Sequence, residues 1–238
     1  GIHLVTGYTG PGKSAVYHNR GRLSAVCRRV CFNGRGREFM AGKTFKKRSL
    51  IKAPVEEVFQ WHARPGALER LVPPWDPLYV ISRSGGIDKG GIAELRMKAG
   101  PIPYRWIAEH TDYEENRFFR DRQVMGPFSS WVHTHRFEPE GSGACWLEDK
   151  IEFSPPLYPL GNMLAPFIRK KLERIFKYRH ATISSDLEDH LSIKDTHPLR
   201  ILISGASGLV GSALIPFLTT GGHKVIRLVR RTPDNNAN

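Results

Sequence analysis

Between positions 45 and 153 apolar and polar residues alternate with a period of two, in runs broken by Gly, Pro, Asn and acidic residues. The runs cover 45–51, 78–83, 92–98, 104–113, 117–124, 129–138 and 145–153. The breaks include Gly85-Gly86, Gly100-Pro101, Glu114-Glu115-Asn116, Gly126-Pro127 and Glu140-Gly141-Ser142-Gly143, which are turn chemistry. Seven strands at hairpin spacing predict one antiparallel sheet. The period changes after the first run. Ala53-Pro54-Val55-Glu56-Glu57 opens a helix, with Pro in the first turn and acids at the positive end of the helix dipole. Arg64-Pro65-Gly66 separates it from a second short helix at 67–71, and Pro73-Pro74 stops that one.

From 162 to 191 the period becomes helical, with Leu164, Ile168, Leu172, Ile175, Phe176, Ile183, Leu187 and Leu191 on one stripe and Lys and Arg opposite. A long helix with one apolar face must lie on something, and the sheet is the candidate. The expected fold is α+β, a helix-grip arrangement: a seven-stranded antiparallel sheet, two short helices and a long closing helix around a cavity.

Several stretches in this region carry a resemblance. They are Val58-Phe59-x-Trp61-His62-Ala63-Arg64-Pro65-Gly66-Ala67, Pro73-Pro74-Trp75, Gly126-Pro127-Phe128-x-x-Trp131-x-His133-x-His135-x-Phe137 and Leu172-x-x-Ile175-Phe176-x-Tyr178-Arg179-His180. Together they resemble the SRPBCC (START/polyketide-cyclase-like) ligand-binding domain, in the version fused ahead of an NAD-dependent epimerase/dehydratase-like domain. The resemblance implies a domain, 44–191, that binds a small, mostly apolar molecule.

The residues themselves point to a lining. Trp131, His133, His135 and Phe137 share one face of their strand, and Asp121 and Gln123 alternate on the preceding one, so a carboxylate could orient a histidine. Trp61, His62 and Trp75, on the two short helices and after them, are candidate wall residues. The His-x-His pair suits a hydrogen-bond network, ligand contact or a metal. Among third metal ligands, His62, His110, Asp121 and Asp149 have no diagnostic spacing, so no metal is assigned. Imidazole titrates near neutral pH, so His133 or His135 could pass a proton to a bound ketone. No nucleophile and base pair up along the sequence, and no catalytic residue is assigned.

After a linker at 192–198, residues 199–238 read as strand, Gly205-Ala206-Ser207-Gly208-Leu209-Val210-Gly211, helix and second strand. This resembles the opening of a dinucleotide-binding Rossmann domain of the extended short-chain dehydrogenase type. The resemblance implies backbone amides of Gly205, Ser207, Gly208, Leu209, Val210 and Gly211 against a pyrophosphate. Arg230 and Arg231 at the end of the second strand favour a 2′-phosphate and so NADP. No Tyr is followed four residues later by Lys, the catalytic pair of that group. The stretch is therefore expected to be an incomplete Rossmann unit, either poorly ordered or docked on the preceding domain, and unable alone to transfer hydride. An NADP-dependent epimerase or oxidoreductase is the alternative function.

Charge adds one more reading. The net charge is +13, and residues 1–48 hold eleven Lys and Arg against one acid, Glu38, so +10 of it sits there. Nucleic-acid binding through this basic arm is a second alternative. Within 1–43, Gly7-Tyr8-Thr9-Gly10-Pro11-Gly12-Lys13-Ser14 fits the phosphate-loop pattern, but the Arg- and Gly-rich stretch that follows lacks the strand and acid such a site needs. Three cysteines, Cys27, Cys31 and Cys145, form no disulfide framework, which favours a reducing, cytoplasmic setting. No apolar run approaches the roughly 18 residues of a membrane span.

Overall fold

The computed structural model of the 238-residue chain describes residues 3–5, 42–76, 78–99, 101–155, 160–193 and 197–230. The phosphate-loop match at 7–14, Cys27, Cys31, most of the basic arm and Arg231 lie outside these residues. A three-residue strand, β1 (His3–Val5), comes first, then β2 (Lys43–Ile51), α1 (Val55–Ala63) and α2 (Ala67–Arg70). Six strands follow: β3 (Tyr79–Ser84), β4 (Ile92–Ala99), β5 (Ile102–Glu114), β6 (Phe118–Met125), β7 (Ser130–Glu140) and β8 (Ala144–Ser154). A 3₁₀ turn (Leu160–Leu164) leads into α3 (Ala165–Ser192), and β9 (Arg200–Ser204), α4 (Leu209–Thr220) and β10 (Lys224–Val229) complete the described chain.

Seven strands form one antiparallel sheet in the order β2-β8-β7-β6-β5-β4-β3, as the period-two runs predict. The first strand in sequence joins the last, and the others are successive hairpins. Register shifts between Val80 and Ser82, Ile107 and Ala108, and His110 and Asp112 are bulges. Bulges bend and twist a ladder, and here they curl the β3–β6 side.

Local sequence explains the break between the short helices. Arg64 precedes Pro65, which disfavours helical ψ, and its ψ of 150° ends α1. Gly66 then takes φ of +92°, open to glycine without strain, and turns the chain into α2. α1 buries Val58, Phe59, Trp61 and His62, packing on β7 and β8.

α3, 28 residues and so about 42 Å long, packs along β2. Its buried stripe is Leu172, Phe176, His180, Ile183, Asp186 and Leu187, so two polar residues stand in the middle of the apolar face. Leu164 and Leu191, read as ends of that stripe, are exposed. Phe59, Trp61, Phe119, Phe137, Leu147, Ile183 and Leu187 build one core cluster, and Phe45, Ile151, Phe153, Leu172 and Phe176 a second. No described helix is long and apolar enough to cross a membrane.

β9 and β10 are parallel and joined through α4, while β1 pairs antiparallel with β10. A phosphate-loop strand belongs to a parallel sheet, so this pairing runs against the phosphate-loop reading of the N-terminus. α4 docks at its C-terminal end. Arg64 Nη1 donates to the Thr220 carbonyl at 3.0 Å, the His190 ring lies 4.5 Å from Phe217, and a Cβ on Gly66 would meet Pro216 Cα at 2.7 Å. Of the two expected fates for this stretch, the described part is docked.

Arg70 reaches across from α2 to Asp186 of α3, with its Nε 2.8 Å from Oδ2 and its Nη2 on the other carboxylate oxygen. Asp186 is 1% exposed. Asp186→Ala would strip a half-buried guanidinium of its partner, and a loss of about 2–4 kcal/mol is expected in urea unfolding. A loss below about 0.5 kcal/mol would mean that the pair adds no more than a surface ion pair does.

Candidate functional site

Strand register assembles the site. His133 and His135 both point to the concave face from β7. On one side Asp121 of β6 is the register partner of His133, and on the other Asp149 of β8 is the partner of His135. Two imidazoles therefore stand between two carboxylates, because directly opposed cross-strand residues hold their Cβ atoms about 5 Å apart.

Asp149, 3% exposed, is the hub. His133 Nε2 lies 2.8 Å from Oδ1, and His180 Nε2, from α3, lies 2.6 Å from Oδ2. A carboxylate only accepts, so both imidazole nitrogens donate to it. His180 Nδ1 then sits 2.8 Å from Ser49 Oγ on β2. His135 Nδ1 is 2.7 Å from Asp149 Oδ1 but off the line a hydrogen bond requires, so that contact is mainly electrostatic. Burial pushes the Asp149 carboxyl up, but the electrostatic pull of His135 and the hydrogen bonds from His133 and His180 outweigh it and hold the group well below the usual carboxylate range.

Asp121 differs. Its Oδ2 is 3.6 Å from His133 Nδ1 and 3.8 Å from His135 Nε2, beyond hydrogen-bond reach. Burial raises its carboxyl, offset in part by His135, His110 and Arg179. The carboxylate that orients the histidines is thus Asp149, whereas the sequence reading pointed to Asp121. Asp121, His133 and His135 each offer a ligand atom, all within 4.8 Å of one another.

The remaining sequence candidates divide. His62 is buried beside this cluster, its ring 5.9 Å from that of His135, with Nδ1 donating to the Val58 carbonyl at 2.7 Å. Trp61 is fully buried in the first core cluster, and its Nε1 has no hydrogen-bond partner among the described residues. Trp75 is 43% exposed and packs edge-on to Tyr178 under Arg174, on the outer side of α3 and apart from the histidines. Gln123 clamps the β6–β7 turn, with Nε2 donating to the Phe128 carbonyl at 2.8 Å and Oε1 accepting from the Phe128 N–H. Trp131 joins Trp106 and Phe128 in a partly buried aromatic group over the inner face of β4 and β5.

Sequence reasoning missed the roles of Asp149, His180 and Ser49. The signals were present: Asp149 is the one acid among the inward residues Cys145, Leu147, Ile151 and Phe153, and His180 lies four after Phe176 on the buried stripe. In the C-terminal unit, Leu209 is 91% exposed, Val210 is exposed and Gly211 is buried. A Cβ on Gly211 would run into the Gly205 carbonyl oxygen, so helix and turn approach closely enough to require glycine. Gly205, Ser207 and Gly208 form the turn before α4, and Arg230 directly follows β10.

His62 generates a pH prediction. Burial first, then the His135 charge, push its pKa from 6.5 down to about 3. The folded protein keeps this ring neutral while the unfolded chain protonates it. Its contribution is complete above pH 6.5 and is lost as pH falls from there toward about 3, at a slope near 1.4 kcal/mol per pH unit. Between about pH 6 and pH 4, His62→Asn is expected to lose roughly 2 kcal/mol less than the wild type in urea titrations. Parallel stability curves would exclude this role.

Residues 51–178 match the family described as polyketide cyclase / dehydrase and lipid transport. Among solved structures, a nucleoside-diphosphate sugar epimerase from Corynebacterium glutamicum is 30% identical, with a TM-score of 0.64, over 81% of this chain and 40% of that one. The chain thus spans 40% of that relative's length. The Zhui aromatase/cyclase from Streptomyces sp. R1128 is 12% identical with a TM-score of 0.52, over 63% of this chain and 96% of its own. A norcoclaurine synthase from Thalictrum flavum is 17% identical with a TM-score of 0.50, over 63% of this chain and 96% of its own. These last two speak for the fold alone. A search of curated proteins gave no match. With more than half its length matched and the sheet and helices in the expected order, the chain belongs to the polyketide cyclase/dehydrase (SRPBCC) family.

Proposed function

We propose that the helix-grip domain binds a small, largely apolar molecule against its concave face. The observation that carries this is a partly buried apolar surface on β3–β5, β7 and α2, formed by Leu68, Leu78, Val80, Met97, Tyr104 and Trp131 around Leu95 and Trp106. It lies on the same concave face as the buried histidines. Covering about 200 Å² of apolar ligand surface there contributes roughly 5 kcal/mol before the entropy of association is deducted. That is short of the roughly 8 kcal/mol of micromolar binding, so polar groups must supply the rest and fix orientation. In this reading the imidazole and carboxylate groups of His133, His135 and Asp121 supply them. Family membership supports the same reading.

In a longer protein the β9-α4-β10 unit would begin a dinucleotide-binding domain. Gly205–Gly211 would then face the pyrophosphate of NADP, and Arg230 its 2′-phosphate. The ligand domain would be the N-terminal module of an epimerase-like protein. The cysteine usage supports a cytoplasmic setting.

Native mass spectrometry of the full chain purified from cells tests the proposal, together with fluorescence titration using a naphthalene-based apolar dye. A retained small molecule or saturable one-to-one dye binding is expected, and Trp131→Ala is expected to weaken dye binding about tenfold with an unchanged far-ultraviolet spectrum. Neither a retained molecule nor saturable binding in the wild type would overturn it.

A further inference from the structure

We infer that Asp121, His133 and His135 form a binding site for a divalent transition-metal cation, with zinc as the chemical prototype. The inference is independent of organic ligand binding and rests on how each ring nitrogen is used. Asp149 lies against one nitrogen of each imidazole, Nε2 of His133 at 2.8 Å and Nδ1 of His135 at 2.7 Å. The opposite nitrogens, His133 Nδ1 and His135 Nε2, both turn toward Asp121 Oδ2, at 3.6 and 3.8 Å. Those separations are too long for hydrogen bonds. They are close to the distance between two ligands of one tetrahedral ion, about 3.4 Å when each lies about 2.1 Å from the metal. A few tenths of an ångström of contraction would bring Asp121 to ligand distance of each imidazole, and all three ligand atoms lie within 4.8 Å of one another.

The other half of the arrangement is what metal-binding histidines need. A ligating imidazole keeps its tautomer and orientation by donating its second N–H to a carboxylate or carbonyl. Asp149 accepts from His133 and lies 2.7 Å from His135 Nδ1, where a small ring rotation would align a second hydrogen bond, and Asp149 itself is held by His180, which is in turn fixed by Ser49. The charges also agree. Two carboxylates face one another through two imidazoles in a buried site, and a divalent cation between them would offset both. Two imidazoles and one carboxylate suit Zn²⁺, Fe²⁺ or Co²⁺ rather than Mg²⁺ or Ca²⁺, which prefer all-oxygen sets. Three protein ligands leave a coordination position for water or for a polar group of a bound molecule. The spacing His-x-His alone did not identify this site, because its third ligand arrives from the neighbouring strand 12 residues earlier, through register rather than through a local motif.

The test uses the full chain carrying Cys27→Ser and Cys31→Ser, which removes N-terminal thiolates that could bind metal independently. After chelator treatment, Co²⁺ alone is titrated by calorimetry and visible absorption, and Zn²⁺ coordination is read by X-ray absorption. One equivalent with two imidazoles and one carboxylate is expected. Asp121→Asn, nearly isosteric, is expected to weaken Co²⁺ binding more than about 100-fold, and Asp149→Asn by about 10- to 100-fold. His190→Gln, outside the site, should leave it unchanged. X-ray absorption on the otherwise unmutated site keeps the test decisive if a variant misfolds. No stoichiometric binding, a ligand set without imidazole, or unchanged affinity in folded Asp121→Asn would overturn the inference. Because no organic ligand is present, its failure would leave the apolar-binding proposal standing, and the reverse also holds.

Discussion

The ionised carboxylate of Asp149 is the constraint around which the domain is arranged. A buried charge without partners is several kilocalories per mole unfavourable, so the fold must deliver donors to it. They come from two directions, His133 on the adjacent strand and His180 on the long helix. His180 also reaches Ser49 on the edge strand. One carboxylate thereby links β8, β7 and α3, and through His180 also β2, and it fixes how α3 is rotated and how far along the sheet it sits. Apolar packing of Leu172, Phe176, Ile183 and Leu187 would tolerate some sliding, whereas a hydrogen bond of 2.6 Å does not.

Around this polar centre the concave face is divided by side-chain type. The end beneath α1 is tightly packed aromatic and aliphatic core, with Phe59, Phe119 and Phe137 in edge and stacked contact. The β3–β5 side carries buried Trp106 with partly buried Tyr104, and Trp131 of β7 packs against Trp106. Between them stands the histidine cluster. A face that grades from dense core through polar groups to half-covered aromatic surface has the make-up of a binding surface rather than of a uniform core. The bulge at His110 and Asp112 bends β5 where it passes Asp121.

The βαβ unit is bound to this domain by backbone fit as much as by side chains. Gly66 has the φ that ends the interhelical turn and the missing Cβ that admits Pro216. Arg64 connects the same turn to the last carbonyl of α4. The Arg-Pro-Gly break thus has two roles, separating α1 from α2 and receiving α4. The first is local and legible in sequence. The second depends on a partner about 150 residues away.

Sequence alone determined the strands, the turns between them, the two short helices and the long one, because each rests on local periodicity and on Gly, Pro and Asn at places that demand them. It also placed His133 and His135 on one face, a consequence of alternation. It did not reveal which carboxylate holds them. Asp121 and Asp149 are both inward residues of neighbouring strands, and only the register puts each opposite its histidine. Nor did it show that His180 belongs to the site, since a histidine on an apolar stripe carries no sign of what it faces. Trp61 and Trp75, equal candidates in sequence, ended in the core and on the surface respectively. Short-range pattern decides which face a residue points to, while the chemistry of that face depends on residues tens of positions apart, which only tertiary packing brings within hydrogen-bond distance.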